Sequence, residues 1–190
     1  MLGRNEKRVA GPIGGGAWTQ LFNRTINDEE TVDFVLENAS YSSYQILCEN
    51  IAPATDDEDF YMRFSTDGGS SYITSNYRWT CFGYLLGLAF TTSAGTAVAQ
   101  IEFKNRSGPG EHLGNATNET GHFNIFLYNT GAAKFTQTSG TYGYRTAGGS
   151  HEHGIMFGEN TTAQNTDAVQ FLMSDGNILS GEIKVLGLKI

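Results

Sequence analysis

Residues 44–79 read YQILCENIAPATDDEDFYMRFSTDGGSSYITSNYRW. Within this stretch Phe60, Met62 and Phe64 alternate with Tyr61, Arg63 and Ser65. That two-residue period is expected of a strand with one buried face. The preceding run, Tyr44 to Ile51, is also apolar–polar and ends in a turn at Pro53-Ala54-Thr55-Asp56. After Ser65 comes Thr66-Asp67-Gly68-Gly69. Glycine takes positive φ without steric cost, so Asp-Gly-Gly predicts a chain reversal. A third, aromatic-rich segment then reaches Tyr77-Arg78-Trp79. The stretch is expected to form the kernel of an antiparallel sheet.

The same signals recur on either side. Strands are predicted at Trp18–Phe22, Thr31–Leu36, within Thr80–Phe90, and at Ala97–Phe103 with a register slip near Ala99. Others are predicted at His122–Tyr128, Phe135–Gln137, Tyr142–Arg145, His151–Phe157, Val169–Met173 and Glu182–Ile190. No stretch carries a convincing helical period. With 24 Gly and only 3 Pro among 190 residues, short strands joined by glycine turns are the natural reading. About eleven strands imply an all-β, two-sheet antiparallel β-sandwich, jelly-roll-like, with the first and last strands paired. Residues 17–190 are expected to form this single domain. Residues 1–16, with Pro12 and Gly14-Gly15-Gly16, read as an extended N-terminal arm. Lys104 to Glu119 is a long polar loop.

The net charge of −8 argues against a nucleic-acid partner, which needs a basic face. The apolar run near Tyr84–Phe90 is too short to enter and cross a membrane. The arm concentrates Arg4, Lys7 and Arg8 beside Val9 and Ile13, a composition suited to docking on an acidic neighbour. It has no apolar core of the secretory kind, so folding in a cytoplasm is expected. Asp56-Asp57-Glu58-Asp59 reads as a solvated loop rather than a Ca²⁺ site, because successive carboxylates rarely converge on one ion. Cys48 and Cys81 lie in apolar strand patterns and are expected to be buried free thiols.

For chemistry, His151-Glu152-His153 stands out. Residues two apart on a strand face the same side, and Glu159 follows. The spacing approaches the metal motif of cupins, but the Glu falls one residue late and no later histidine completes the set. His151, His153 and Glu159 are therefore weak metal candidates, and no cofactor is expected. Gly-x-Ser-x-Gly is missing and both cysteines look structural, so the chain is not read as an enzyme. Rings can stack on sugar faces, and Tyr41, Tyr72, Tyr77, Tyr142 and Tyr144 are the candidates. Of these, Tyr142 and Tyr144 in the 139–150 region are assigned glycan or receptor contact.

Several segments together resemble a family of tailed-phage virion proteins with a β-sandwich domain. They are Trp18 and the short strand after it; Tyr44–Leu47 with Asn50–Asp56; Arg63–Tyr72; Asn76–Trp79; and Ser174-Asp175-Gly176-Asn177-Ile178-Leu179-Ser180-Gly181-Glu182 continuing to Lys189. The resemblance spans roughly residues 17 to 190. It implies a non-catalytic virion surface protein, either a head decoration or fibre protein or a receptor-binding tail component. It would be assembled in the host bacterial cytoplasm and docked through its arm. Implied partners are other virion proteins and a host-surface glycan, with homo-oligomers, trimers foremost. The alternatives are a carbohydrate-binding module and a cupin-like metalloenzyme.

Overall fold

The computed structural model describes residues 18–85 and 90–189. Among these residues twelve strands follow in chain order: β1 (Trp18–Glu29), β2 (Thr31–Val35), β3 (Tyr41–Pro53), β4 (Phe60–Ser65), β5 (Tyr77–Leu85), β6 (Phe90–Val98), β7 (Ile101–Glu102), β8 (Gly121–Tyr128), β9 (Gln137–Arg145), β10 (His151–Asn160), β11 (Ala168–Met173) and β12 (Ile178–Lys189). They form two antiparallel sheets. The larger has eight strands in the order β1-β12-β3-β8-β9-β10-β5-β6, and the smaller has four in the order β2-β11-β4-β7. The all-β sandwich expected from the sequence is therefore present. First and last strands pair as expected, with Trp18 opposite Leu188 and Arg24 opposite Ile183.

The stretch from Tyr44 to Trp79 is not a single sheet, however. β3 and β5 belong to the large sheet, while β4 lies in the small one. The turn after Pro53 and the Asp-Gly-Gly reversal each carry the chain across the core. Local chemistry at that reversal is as expected: Gly68 and Gly69 have φ of 71° and 81°. The Asp67 carboxylate accepts from the Ser71 N–H at 2.9 Å and from its hydroxyl at 2.6 Å. Alternation shows that one face of each strand is buried. It does not show which sheet the face belongs to, because facing sheets bury the same pattern.

Two further expectations change for similar reasons. The slip near Ala99 is a change of sheet: β6 ends at Val98 in the large sheet and β7 begins at Ile101 in the small one, after Ala97 at φ 56°. The strands predicted separately at Phe135–Gln137 and Tyr142–Arg145 are not divided at Ser139-Gly140, because β9 runs through it. There Gly140 sits where a Cβ would press on the Asn124 carbonyl of β8. The glycine permits close strand approach and does not end the strand.

The core is aromatic. Phe60 lies 5.3 Å from Phe171, nearly parallel, and 4.7 Å from Phe123 (ring centroids), with Phe103 against both Phe60 and Phe123. Tyr77 is fully buried, and its hydroxyl accepts the Phe64 N–H at 2.7 Å. Cys48 and Cys81 are buried free thiols, as expected. Burial pushes the Cys81 thiol up to about 12.

Four strands do not cover eight unaided, and the long 104–119 loop supplies more cover. Leu113 is buried and exchanges backbone hydrogen bonds of 3.1 Å with Glu58. The acidic run is thus not merely solvated. Asp57 accepts from the Gly110 and His112 N–H groups at 2.7 and 3.0 Å, and Asp56 accepts from the Asn115 N–H at 3.0 Å. Asp59 receives Lys104 Nζ and His112 Nδ1, both at 2.6 Å. Burial alone would raise the Asp59 carboxyl, but those two hydrogen bonds outweigh it and hold it below its usual range.

Phe60→Ala removes the ring on which Phe103, Phe123 and Phe171 all pack. It should destabilise the fold by about 3–5 kcal/mol, read as a lower urea midpoint with unchanged m-value.

Candidate functional site

The phase of β10 sets what the large sheet shows to solvent. Glu152, Met156 and Asn160 are buried, so His151, His153, Ile155, Phe157 and Glu159 turn to the outer face, away from the small sheet. Strand pairing aligns them with neighbours in rows. Gly143, His153, Tyr84 and Phe90 form the first row, and Thr141, Ile155, Phe82 and Thr92 the second. Ser139, Phe157, Thr80 and Ala94 form the third, and Gln137, Glu159, Arg78 and Thr96 the fourth. Four large apolar side chains are left about half exposed: Tyr84 (49%), Phe90 (50%), Ile155 (45%) and Phe157 (48%).

At the fourth-row end the face sinks into a groove of about 510 Å³. Phe157 and Tyr128 supply ring surface, and Arg78, Gln137, Glu159, Ser139 and Thr96 supply polar edges. The Glu159 carboxylate accepts from Arg78 Nε at 2.5 Å and from Gln137 Nε2 at 3.2 Å. Guanidinium, carboxylate and carboxamide are thereby held beside the rings, although Arg78 is solvent-exposed and the pair contributes little to stability. Phe126 stacks beside Tyr128 at 6.4 Å, and Trp18 lies 6.1 Å from Phe126, extending ring surface towards β1.

Residues singled out from the sequence are scattered by the fold. His151 and His153 do share one face, with ring centroids 5.8 Å apart. Glu159 is on the same face but six residues beyond His153, about 20 Å at strand rise, where Arg78 and Gln137 hold it. The His-x-His and Glu grouping does not converge. Among the described residues no three His, Cys, Asp or Glu side chains come together in a metal-binding arrangement. Burial and the neighbouring His153, His122 and Arg145 lower the His151 pKa. Tyr142 and Tyr144 are not surface contacts: each is 2% exposed, and they stack on one another inside the sandwich at 6.0 Å. They fall on the inward phase of β9, opposite Gly154 and Glu152. Tyr77 is likewise core. Arg4, Lys7, Arg8, Val9 and Ile13 lie outside the described residues.

Sequence reading missed Arg78, Tyr128, Gln137 and Phe157 as a group. One signal was present. If His151 and His153 face solvent, then Ile155 and Phe157 must do so too, because all four share a phase.

No family model matches the chain, and no curated protein matches it. Among solved structures, the galectin LEC-6 of Caenorhabditis elegans is similar over 87% of this chain and 95% of its own, at 10% identity and a TM-score of 0.36. The CBM2 module of an evolved Dit from Lactobacillus casei BL23 phage J-1 is similar over 94% of this chain and 82% of its own, at 7% identity and a TM-score of 0.26. Likeness at this level carries no argument about function, and the site itself must supply one.

Glu152, between the two histidines, has a separate consequence. It is fully buried, accepts the Asn105 N–H at 3.0 Å and lies 3.5 Å from the Tyr142 hydroxyl. Burial pushes its carboxyl from 4.5 up to about 7, against hydrogen bonds from Tyr144 and the Asn105 N–H. The folded protein therefore holds this proton more tightly than the unfolded chain does. The resulting stability is complete below about pH 4.5 and is lost as pH rises through 7. Glu152→Gln keeps the shape and removes the titration. The stability of the variant relative to the parent should rise by about 2–3 kcal/mol between about pH 5 and about pH 8, measured by urea unfolding.

Proposed function

We propose that this chain is a non-catalytic, glycan-binding β-sandwich displayed on a phage virion. The observation that carries the glycan reading is the groove itself: the exposed rings of Phe157 and Tyr128 lie beside the Arg78–Glu159–Gln137 network. Aromatic faces suit the C–H surface of a sugar ring, and planar polar groups suit its hydroxyls. A volume of about 510 Å³ falls within the range of small-ligand sites. A glycosidase would need a pair of carboxylates flanking the bond to be cleaved. Among the described residues Glu159 is the one carboxylate lining the groove, and it is already engaged by Arg78, which supports binding without turnover.

The virion placement rests on the sequence resemblance over residues 17–190 and on charge. A body of net charge −8 keeps displayed copies soluble and apart. The basic arm, through Arg4, Lys7, Arg8, Val9 and Ile13, docks on other virion proteins as a homo-oligomer, with the trimer favoured. The outer face of the large sheet is then the receptor-binding surface, in place of Tyr142 and Tyr144. The same groove would serve a carbohydrate-binding module outside a virion, so the two readings part at the arm.

On an array of bacterial surface and neutral plant glycans, the protein should bind a subset, and Phe157→Ala should abolish that binding while leaving the melting temperature within a few degrees. An array with no bound glycan, or a variant that binds as the parent does, would refute the groove. Deleting residues 1–16 should prevent incorporation into particles without altering glycan binding. Full occupancy of the truncated chain would remove the docking role.

A further inference from the structure

The groove is one end of a longer feature. Along β10 and β5 the outward side chains run Glu159, Phe157, Ile155, His153 and Arg78, Thr80, Phe82, Tyr84. Rings continue along this lane: Phe82 and Phe90 lie 6.2 Å apart, Tyr84 and Phe90 5.3 Å, and Tyr84 and His153 6.1 Å. From the Arg78–Glu159 row to the Tyr84–His153 row is six residues, about 20 Å at strand rise. Beyond the groove, a second hollow of about 340 Å³ shares Gln137 and brings in Phe135, 42% exposed. The lane is bordered by hydroxyls. Thr141 and Ser139 lie on β9, and Thr92 and Thr96 on β6.

We infer that this lane binds a linear, uncharged polysaccharide several sugar rings long, lying parallel to β10, and not a single terminal sugar. The inference rests on the glycan reading above and extends it. Three features select the occupant. First, β10 and β5 are interior strands with their backbone hydrogen bonds spent in the ladder. Along these two strands the lane therefore offers ring faces and side-chain hydroxyls, and the free edge that an extended peptide would join lies one strand away, on the far side of β6. Second, the second and third rows carry no charged side chain, and the charges of the fourth row, Arg78 and Glu159, neutralise each other. Lys134 lines the second hollow, but a polyanion would still meet mutually neutralised charges in the groove and a body of net charge −8. Third, apolar rings recur at both ends and in the middle of the lane, which matches a repeating ligand better than a compact one.

The test uses the full chain and fluorescently labelled oligosaccharides, from disaccharide to hexasaccharide, of four neutral polymers: cellulose, chitin, a β-1,3-glucan and a galactan. Polygalacturonate oligomers serve as the charged counterpart. Affinity for at least one neutral series should climb with each added unit before levelling off. The double variant Tyr84→Ala/Phe90→Ala, distant from the groove, should weaken the hexasaccharide about tenfold, the equivalent of two lost ring contacts, and leave the disaccharide unchanged. Phe157→Ala should weaken both. Binding that is independent of length, or a double variant that holds the hexasaccharide as the parent does, overturns the extended lane while leaving the groove intact. Preference for polygalacturonate overturns the uncharged class. If no oligomer of any series binds, the glycan reading itself falls.

Discussion

Four strands face eight in this sandwich, and every buried side chain of the larger sheet must still be kept from water. The small sheet covers part of that surface through Phe60, Met62, Phe64 and Phe171. The loop after β7 adds cover through Asn105 and Leu113, both nearly inaccessible. A loop can seal a core only if its own polar backbone is satisfied. Here Asp56, Asp57 and Asp59 do much of that work, accepting loop N–H groups and the Lys104 and His112 side chains. The acidic run and the long loop, separated by nearly fifty residues, are one structural device.

Among the described residues, that device leaves the far side of the large sheet open. With the core settled on one face, strand alternation sends every other residue of β5, β9 and β10 outward, and these include Phe82, Tyr84, Ile155 and Phe157. Half-exposed aromatics are costly to leave unused when they adjoin one another. Their arrangement in rows, beside an Arg–Glu–Gln network, gives the face its proposed role. Glu152 shows the opposite situation. The same alternation that exposes its two histidine neighbours buries this carboxyl among tyrosines, and its raised pKa is the consequence.

Phe123, Ile125 and Leu127 alternate along the predicted strand His122–Tyr128 and share its buried face, and the pairing of the first and last strands follows from the fold class. Tyr142 and Tyr144 fall in a predicted strand, Tyr142–Arg145, whose glycine-rich flank suggests a chain break before it. The chain instead passes straight through as β9, with Gly140 and Gly143 allowing close packing. The His-x-His motif was correctly set on one strand face, yet its third partner was sought by sequence spacing. On an extended strand, six residues are about 20 Å, too far for Glu159 to join.

The sequence by itself determined the class of the fold, the reversal at Asp67-Gly68-Gly69, the free state of Cys48 and Cys81 and the phase of most strands. These are local properties, set by period, turn chemistry and side-chain polarity. Only the tertiary structure decided that β3, β4 and β5 alternate between sheets, that the acidic run anchors a distant loop, and that Arg78, Tyr128, Gln137 and Phe157 meet in one groove. Those residues come from four separate strands. Their proximity depends on strand order and register, which follow from how the whole core packs and are written in no single segment.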